Sequence, residues 1–160
     1  MTTTGFQDHY PDDYAHCYGC GRLNEHGMRL KSVWDGPESV CRFTPRPHQT
    51  GGLRDIVYGG LIASLVDCHC AGTAAAAKLR EEGFQPGERP MPRFVTASLK
   101  VDYIAPTPIG VEIEVRARVV EMKGRKAVIA ATVSAGGTMT AKGEAVMVQL
   151  RETASATEER

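Results

Sequence analysis

The sequence has no excess of charge of either sign: 19 acidic and 19 basic residues leave a formal net charge of zero. Such a chain carries no electrostatic footprint for nucleic acid or an anionic membrane, and neither is expected as a partner. No apolar run reads as long enough to span a bilayer. The opening Met1-Thr2-Thr3-Thr4-Gly5 lacks the charged-then-apolar layout of a secretion signal. Cysteines number five, an odd count, and two of them, Cys68 and Cys70, fall in an apolar helical stretch. A disulfide framework is therefore not expected, and reduced thiols in the cytoplasm are. Cys17 and Cys20 form one C-x2-C pair, with His16 and His26 close by, but a second C-x2-C or an H-x3-H is missing. Zinc normally takes four protein ligands in a structural site, so no metal is expected and the pair reads as a Gly-rich turn. At 160 residues the chain is one domain with a sizeable core.

What is present is organised around Val57–Ala77, which opens on a glycine pair and runs for about five helical turns without proline. Asp67 is its one residue with a formal charge, so the helix reads as buried nearly all round. Gly60, Ala63, Ser64, Asp67, Cys70, Ala71 and Ala74 recur at three- and four-residue steps and form a stripe of small side chains. A carboxylate in that stripe is costly unless it is partnered or serves a function, so Asp67 is either a hydrogen-bonded core residue or a functional one.

Residues 1–15 show no periodicity and read as a loosely ordered arm, and 151–160 as a frayed tail, leaving 16–150 as the domain. Leu30 to Thr44 reads as a hairpin or first strand turning at Asp35-Gly36-Pro37, followed by a Pro/Gly loop over 45–56 carrying His48 and Gln49. Beyond the helix and a polar loop over 78–92 come four strand-like runs: Phe94–Ile104, Val111–Met122, Lys126–Ala135 and Thr138–Val148. In the first, strict alternation sets Val95, Ala97, Leu99, Val101 and Tyr103 on one side and Thr96, Ser98, Lys100 and Asp102 on the other. Turns fall at Lys123-Gly124-Arg125 and Gly136-Gly137. One early helix and a late run of antiparallel strands make an α+β protein, with a sheet wrapped on the helix.

Tyr58-Gly59-Gly60 followed by Asp67 resembles the His-Gly-Gly-x6-Asp signature of hotdog-fold thioesterases of the phenylacetate-degradation (PaaI-like) type, with Tyr58 where the family usually has His. The resemblance continues through Arg93–Tyr103 and Pro106 and covers roughly residues 16–150. It implies an antiparallel sheet wrapped around one long central helix, and a homodimer or dimer of dimers. In that assembly each site takes its helix from one chain and its facing strand from the other. It further implies acyl-CoA as substrate, coenzyme A entering only as part of it, and Asp67 as the catalytic carboxylate. Thr96 matches the family's hydroxyl on the strand opposite the helix. Lys123, Arg125 and Lys126 match the turn that meets coenzyme A phosphates, unless they are ordinary solvated surface. Cys-x-x-Cys-Gly openings also occur in this group as a turn packed over the sheet.

The residues themselves permit that chemistry. Asp67 can act as general base or as nucleophile. Gly60 stands at the helix start, where backbone N–H groups are unpaired and the dipole favours negative charge, and so is the oxyanion donor expected. Tyr58 keeps a hydroxyl but cannot hold a proton near neutrality as His does, and reads as an orienting residue. Gly59, Ser64, Arg93 and Ser98 complete the substrate-contact candidates. An amide helper before the glycine pair is missing unless Gln49 reaches in. His69, about 200° round the helix from Asp67, reads as a core or interface residue, and Cys68 and Cys70 as apolar packing. A non-catalytic acyl-CoA or fatty-acid binding protein on the same fold is the alternative; a hydratase is disfavoured by Tyr58.

Overall fold

A computed structural model describes residues 3–152. Its elements run β1 (Ser32–Asp35), β2 (Glu38–Phe43), α1 (Gly59–Glu81), β3 (Phe94–Tyr103), β4 (Ile113–Lys123), β5 (Lys126–Ala135) and β6 (Thr138–Gln149). The strands form one antiparallel sheet in the order β1-β2-β4-β5-β6-β3, curled against α1. This is the expected α+β hotdog arrangement, a long helix held in a wrapped sheet.

Apolar side chains dictate it. Leu61, Ile62, Leu65, Val66 and Leu79 of α1 meet Ile113, Val115, Ile129, Val133 and Met147 of the sheet, all buried. Gly143 permits a close approach of sheet to helix, since a Cβ there would stand 2.5 Å from Val66 Cγ1. α1 closes through paired hydrogen bonds, Phe84 N to Leu79 O at 2.9 Å and Gly83 N to Arg80 O at 3.1 Å. Gly83 supplies the positive φ of +85° that this termination requires.

Contrary to the expectation from sequence, α1 is long and apolar enough to cross a membrane, with a mean hydropathy of 1.3. It is the core helix, and 67% of that window is buried inside the protein. Among its half-buried positions, Gly60, Ala63, Ser64, Asp67 and Ala71 coincide with most of the small-residue stripe, while Cys70 and Ala74 are buried. The sheet and the N-terminal segment together leave the face that carries the carboxylate the least covered along the middle of α1. Beside that face runs β3, an edge strand with Val95, Thr96, Ala97 and Ser98 all exposed.

The arm over residues 3–15 is packed rather than loosely ordered. Short 3-10 turns at Phe6–His9 and Asp12–Tyr14 bring Phe6, Tyr10 and Ala15 into the core. Phe6 sits 5.1 Å from the Trp34 ring centroid. Anchors spaced along an irregular segment leave no period to read, which is why pattern alone missed them. Beyond Glu152 the expected frayed tail lies outside the described residues.

Gln7 joins the arm to a buried polar network. Its amide nitrogen donates to Ser32 Oγ at 3.0 Å, and its amide oxygen accepts from Ser32 N at 2.8 Å. His69 bonds Ser32 Oγ through Nδ1 at 2.8 Å and Ser39 Oγ through Nε2 at 3.1 Å. The core placement expected for His69 is what the structure shows. Burial lowers its pKa to about 4, because the imidazolium would lose its hydration. A depressed histidine contributes stability that is fully present above the unfolded value near 6.5 and is lost as pH falls toward 4. Denaturant titrations should show stability dropping across that window by up to about 3 kcal/mol. His69→Gln should flatten the drop; an unchanged profile would show that another group causes it.

Candidate active site

Asp67 lies on the uncovered stripe of α1, and Thr96 Oγ1 donates a hydrogen bond to its Oδ1 at 2.5 Å. The contact depends on an irregularity in β3. Thr96 pairs with Met147 but Ser98 pairs with Val146, so Ala97 is an extra residue, a β-bulge. Cross-strand partners share a face. Thr96, Leu99, Val101 and Tyr103 therefore look toward α1, opposite Met147, Ala145, Gly143 and Ala141. Ser98 shares the outer face with Lys100 and Asp102, which pair there at 3.0 Å. Strict alternation put Thr96 and Ser98 together; the bulge separates them and removes Ser98 from the site.

Other candidates sort as clearly. Ser64 Oγ donates to Gly60 O at 2.8 Å, so its hydroxyl is spent on its own helix rather than on a ligand. Arg93 clamps Asp13 with two bonds of 2.7 Å, which balances the charge expected to meet phosphate. Gln49 Oε1 accepts from Arg46 N at 2.8 Å and is turned back on its loop, in a hollow shared with His48 and away from Asp67. Lys123, Arg125 and Lys126 form the exposed β4–β5 turn. The rung carrying Thr96 continues through Met147 to Ala127 and Met122, so this turn begins one residue beyond it. Two strand spacings, about 10 Å, separate Thr96 from Ala127.

At the start of α1, Leu61 N and Ile62 N both reach Tyr58 O, at 3.0 and 3.4 Å. Gly59 N and Gly60 N have no acceptor among the described residues. Tyr58, 57% exposed, lays its ring over Gly60, where a Cβ would come within 2.5 Å of it. Tyr103 closes the other side, its hydroxyl donating to Gly59 O at 2.5 Å, and partial burial raises its pKa. Sequence reasoning placed Tyr103 only as a strand residue. The signal available was its position on the helix-facing side, read correctly only once the bulge is known.

Asp67 and Thr96 open onto a cavity of about 300 Å³. The rings of Tyr10, Tyr14 and Phe94 form one wall, and Cys17, Cys20 and Cys68 another. Tyr14 OH donates to Phe94 O, and burial raises the pKa of both tyrosines. The three sulfurs lie within 4.8 Å of one another, close enough to hold a metal ion, with Cys17 Sγ 3.7 Å from Cys68 Sγ. Hydrogen bonds from Cys20 and then Cys68 pull the Cys17 thiol down, and the same bonds push the other two up. Cys68 is not simple apolar packing, as its helical setting suggested, and the C-x2-C pair is not alone.

The thioesterase superfamily profile matches residues 55–142. A thioesterase superfamily protein from Shewanella loihica PV-4 is 41% identical, covering 88% of this chain and 98% of its own, with a TM-score of 0.67. PaaI of the Escherichia coli phenylacetic acid degradation operon shares the fold at 15% identity, covering 79% and 83%, with a TM-score of 0.63. So does smu.793 from Streptococcus mutans UA159, solved bound to acetyl CoA, at 15% identity, 81% and 96% coverage and a TM-score of 0.63. No curated protein sequence matches the chain.

Gly19 decides whether the sulfur cluster can form, since a Cβ there would overlap Cys68 Sγ. Gly19→Ala should cost about 1–3 kcal/mol. The same change in a Cys68→Ala background should cost less, because the obstructing sulfur is gone. Additive losses in a double-mutant cycle would place the strain elsewhere.

Proposed function

Given that the chain belongs to the thioesterase superfamily, we propose that it hydrolyses an acyl-CoA thioester to the free acid and coenzyme A, with Asp67 as the catalytic carboxylate. The observation that carries this is the Thr96 hydroxyl held on Asp67 Oδ1 at the rim of an aromatic-lined cavity. The bond orients the carboxylate and occupies one oxygen, leaving the other to take a proton from water or to attack the carbonyl carbon. An acetyl-CoA complex on the same fold supports a CoA thioester as the ligand. The exposed turn of Lys123, Arg125 and Lys126, near the Thr96 rung, is the cationic surface offered to its phosphates.

Gly60 remains the oxyanion donor, with one condition. It lies seven residues before Asp67 on α1, about 10 Å along the axis. A donor and a base acting on one carbonyl each need to lie about 3 Å from their target atom. Gly60 and Asp67 of one chain are too far apart for that. Packing the uncovered stripe antiparallel against a second copy, centred on Ala63 and Ser64, sets Gly60 of one chain opposite Asp67 of the other. The small residues there permit the approach, and the open β3 edge supplies the flanking surface. The division differs from the one first expected, because the facing strand residue Thr96 meets Asp67 within one chain. A homodimer is the smallest assembly with a complete site; Tyr58 and Tyr103 would then frame the thioester oxygen from the Gly60 side.

Asp67→Asn should remain folded, lose turnover of acyl-CoA by two or more orders of magnitude and retain substrate binding. Wild-type-like turnover in the folded variant would favour a non-catalytic acyl-CoA binder. Gly60→Pro removes the N–H in the first helical turn, displaces the exposed Tyr58 ring that lies over Gly60, and should be similarly inactive while folded. Coexpressing the two variants should restore about a quarter of wild-type activity, since half of the dimers would carry one intact site. Failure to complement, with a dimer present, would refute the shared site while leaving the role of Asp67 standing.

A further inference from the structure

We infer that Cys17, Cys20 and Cys68 form a site for a thiophilic divalent cation, zinc, which clips the N-terminal segment onto α1 beside Asp67. Three features of the geometry point to a metal rather than to incidental packing. Tetrahedral zinc with sulfur ligands at 2.3 Å places its sulfurs about 3.8 Å apart, and Cys17 Sγ lies 3.7 Å from Cys68 Sγ with Cys20 in the same cluster. The knuckle between the cysteines is shaped to receive a third sulfur: Gly19 leaves the space that Cys68 Sγ occupies. Gly21 permits a close return of the chain, with Gly21 N on Cys17 O at 2.7 Å.

Among the described residues, none that lines this cavity is a lysine or arginine. Arg93, whose guanidinium stands 5.5 Å from the Tyr14 ring, is engaged by Asp13. A cation of charge two balances thiolates that the surrounding apolar wall otherwise penalises. The three sulfurs leave a fourth coordination position, which water from the adjoining cavity would fill. This reverses the expectation from ligand counting in sequence, because the missing ligand comes from the middle of α1. Binding releases the thiol protons to solvent and ties the segment through Cys68 to the helix that bears Asp67.

The test uses the full chain, reduced and stripped of metal, with circular dichroism confirming the fold. Titration with Co²⁺ should give a sulfur-to-cobalt charge-transfer band saturating near one metal per chain, and Zn²⁺ should displace it. Cys17→Ser, at an exposed position, and Cys68→Ser should each weaken binding at least tenfold, whereas Cys41→Ala should bind as wild type. Protein expressed with zinc should carry it at about one per chain by elemental analysis. Absence of the band in the folded wild type would overturn the inference. So would undiminished binding in both serine variants, or formation of a Cys17–Cys68 disulfide in place of metal uptake.

Discussion

The hydrogen bond from Thr96 to Asp67 is the contact on which the organisation of this protein turns. α1 is apolar enough to need cover on nearly every side, yet it carries an ionisable group at its middle. A carboxylate sealed among Leu, Val and Ala would cost several kcal/mol unless paired. The sheet resolves the conflict by curling around α1 and stopping short of one stripe. At its edge a single extra residue in β3 rotates a hydroxyl toward the carboxylate. Without that bulge Thr96 would share the outer face with Lys100 and Asp102, and Asp67 would lose this donor.

The same stripe explains the incompleteness of one chain. Gly59 and Gly60 offer unpaired N–H groups two turns away from the carboxylate, between the rings of Tyr58 and Tyr103. Under the proposed function each end of the stripe would hold half of what acyl transfer requires, and a second copy packed across the small side chains would bring unlike halves together. Tyrosine at position 58 fits this proposed division: its ring covers the helix start at Gly60, and the proton chemistry would fall to Asp67.

The N-terminal segment ties into both sides of α1. On one side Gln7 reaches the His69 network through Ser32. On the other, Tyr10, Tyr14, Cys17 and Cys20 wall the cavity beside Asp67. A segment without regular structure thus sets the shape of the space next to the candidate base. Cys68 and His69, adjacent in sequence, point into these two different environments because successive residues on a helix are turned by 100°.

Local patterns sufficed for the elements. The apolar run with its single charge, the glycine pair at its start, the alternating runs and the turn residues each express a period or a backbone preference carried by neighbouring residues. So the helix, the four long strands and a sheet wrapped on the helix were legible in the sequence, while the hotdog name and the candidate roles of Asp67 and Thr96 came from the resemblance to the PaaI-like family. Contacts between distant residues were not. Whether Thr96 or Ser98 faces the helix depends on one unpaired residue in a ladder. Whether Ser64 and Arg93 are available depends on which acceptors lie nearby. The ordering of the arm depends on anchors with no period, and the third sulfur of the cysteine cluster comes from a helix far along the chain. Periodicity encodes which way a side chain points within its own element; only the packing of elements decides what it meets there.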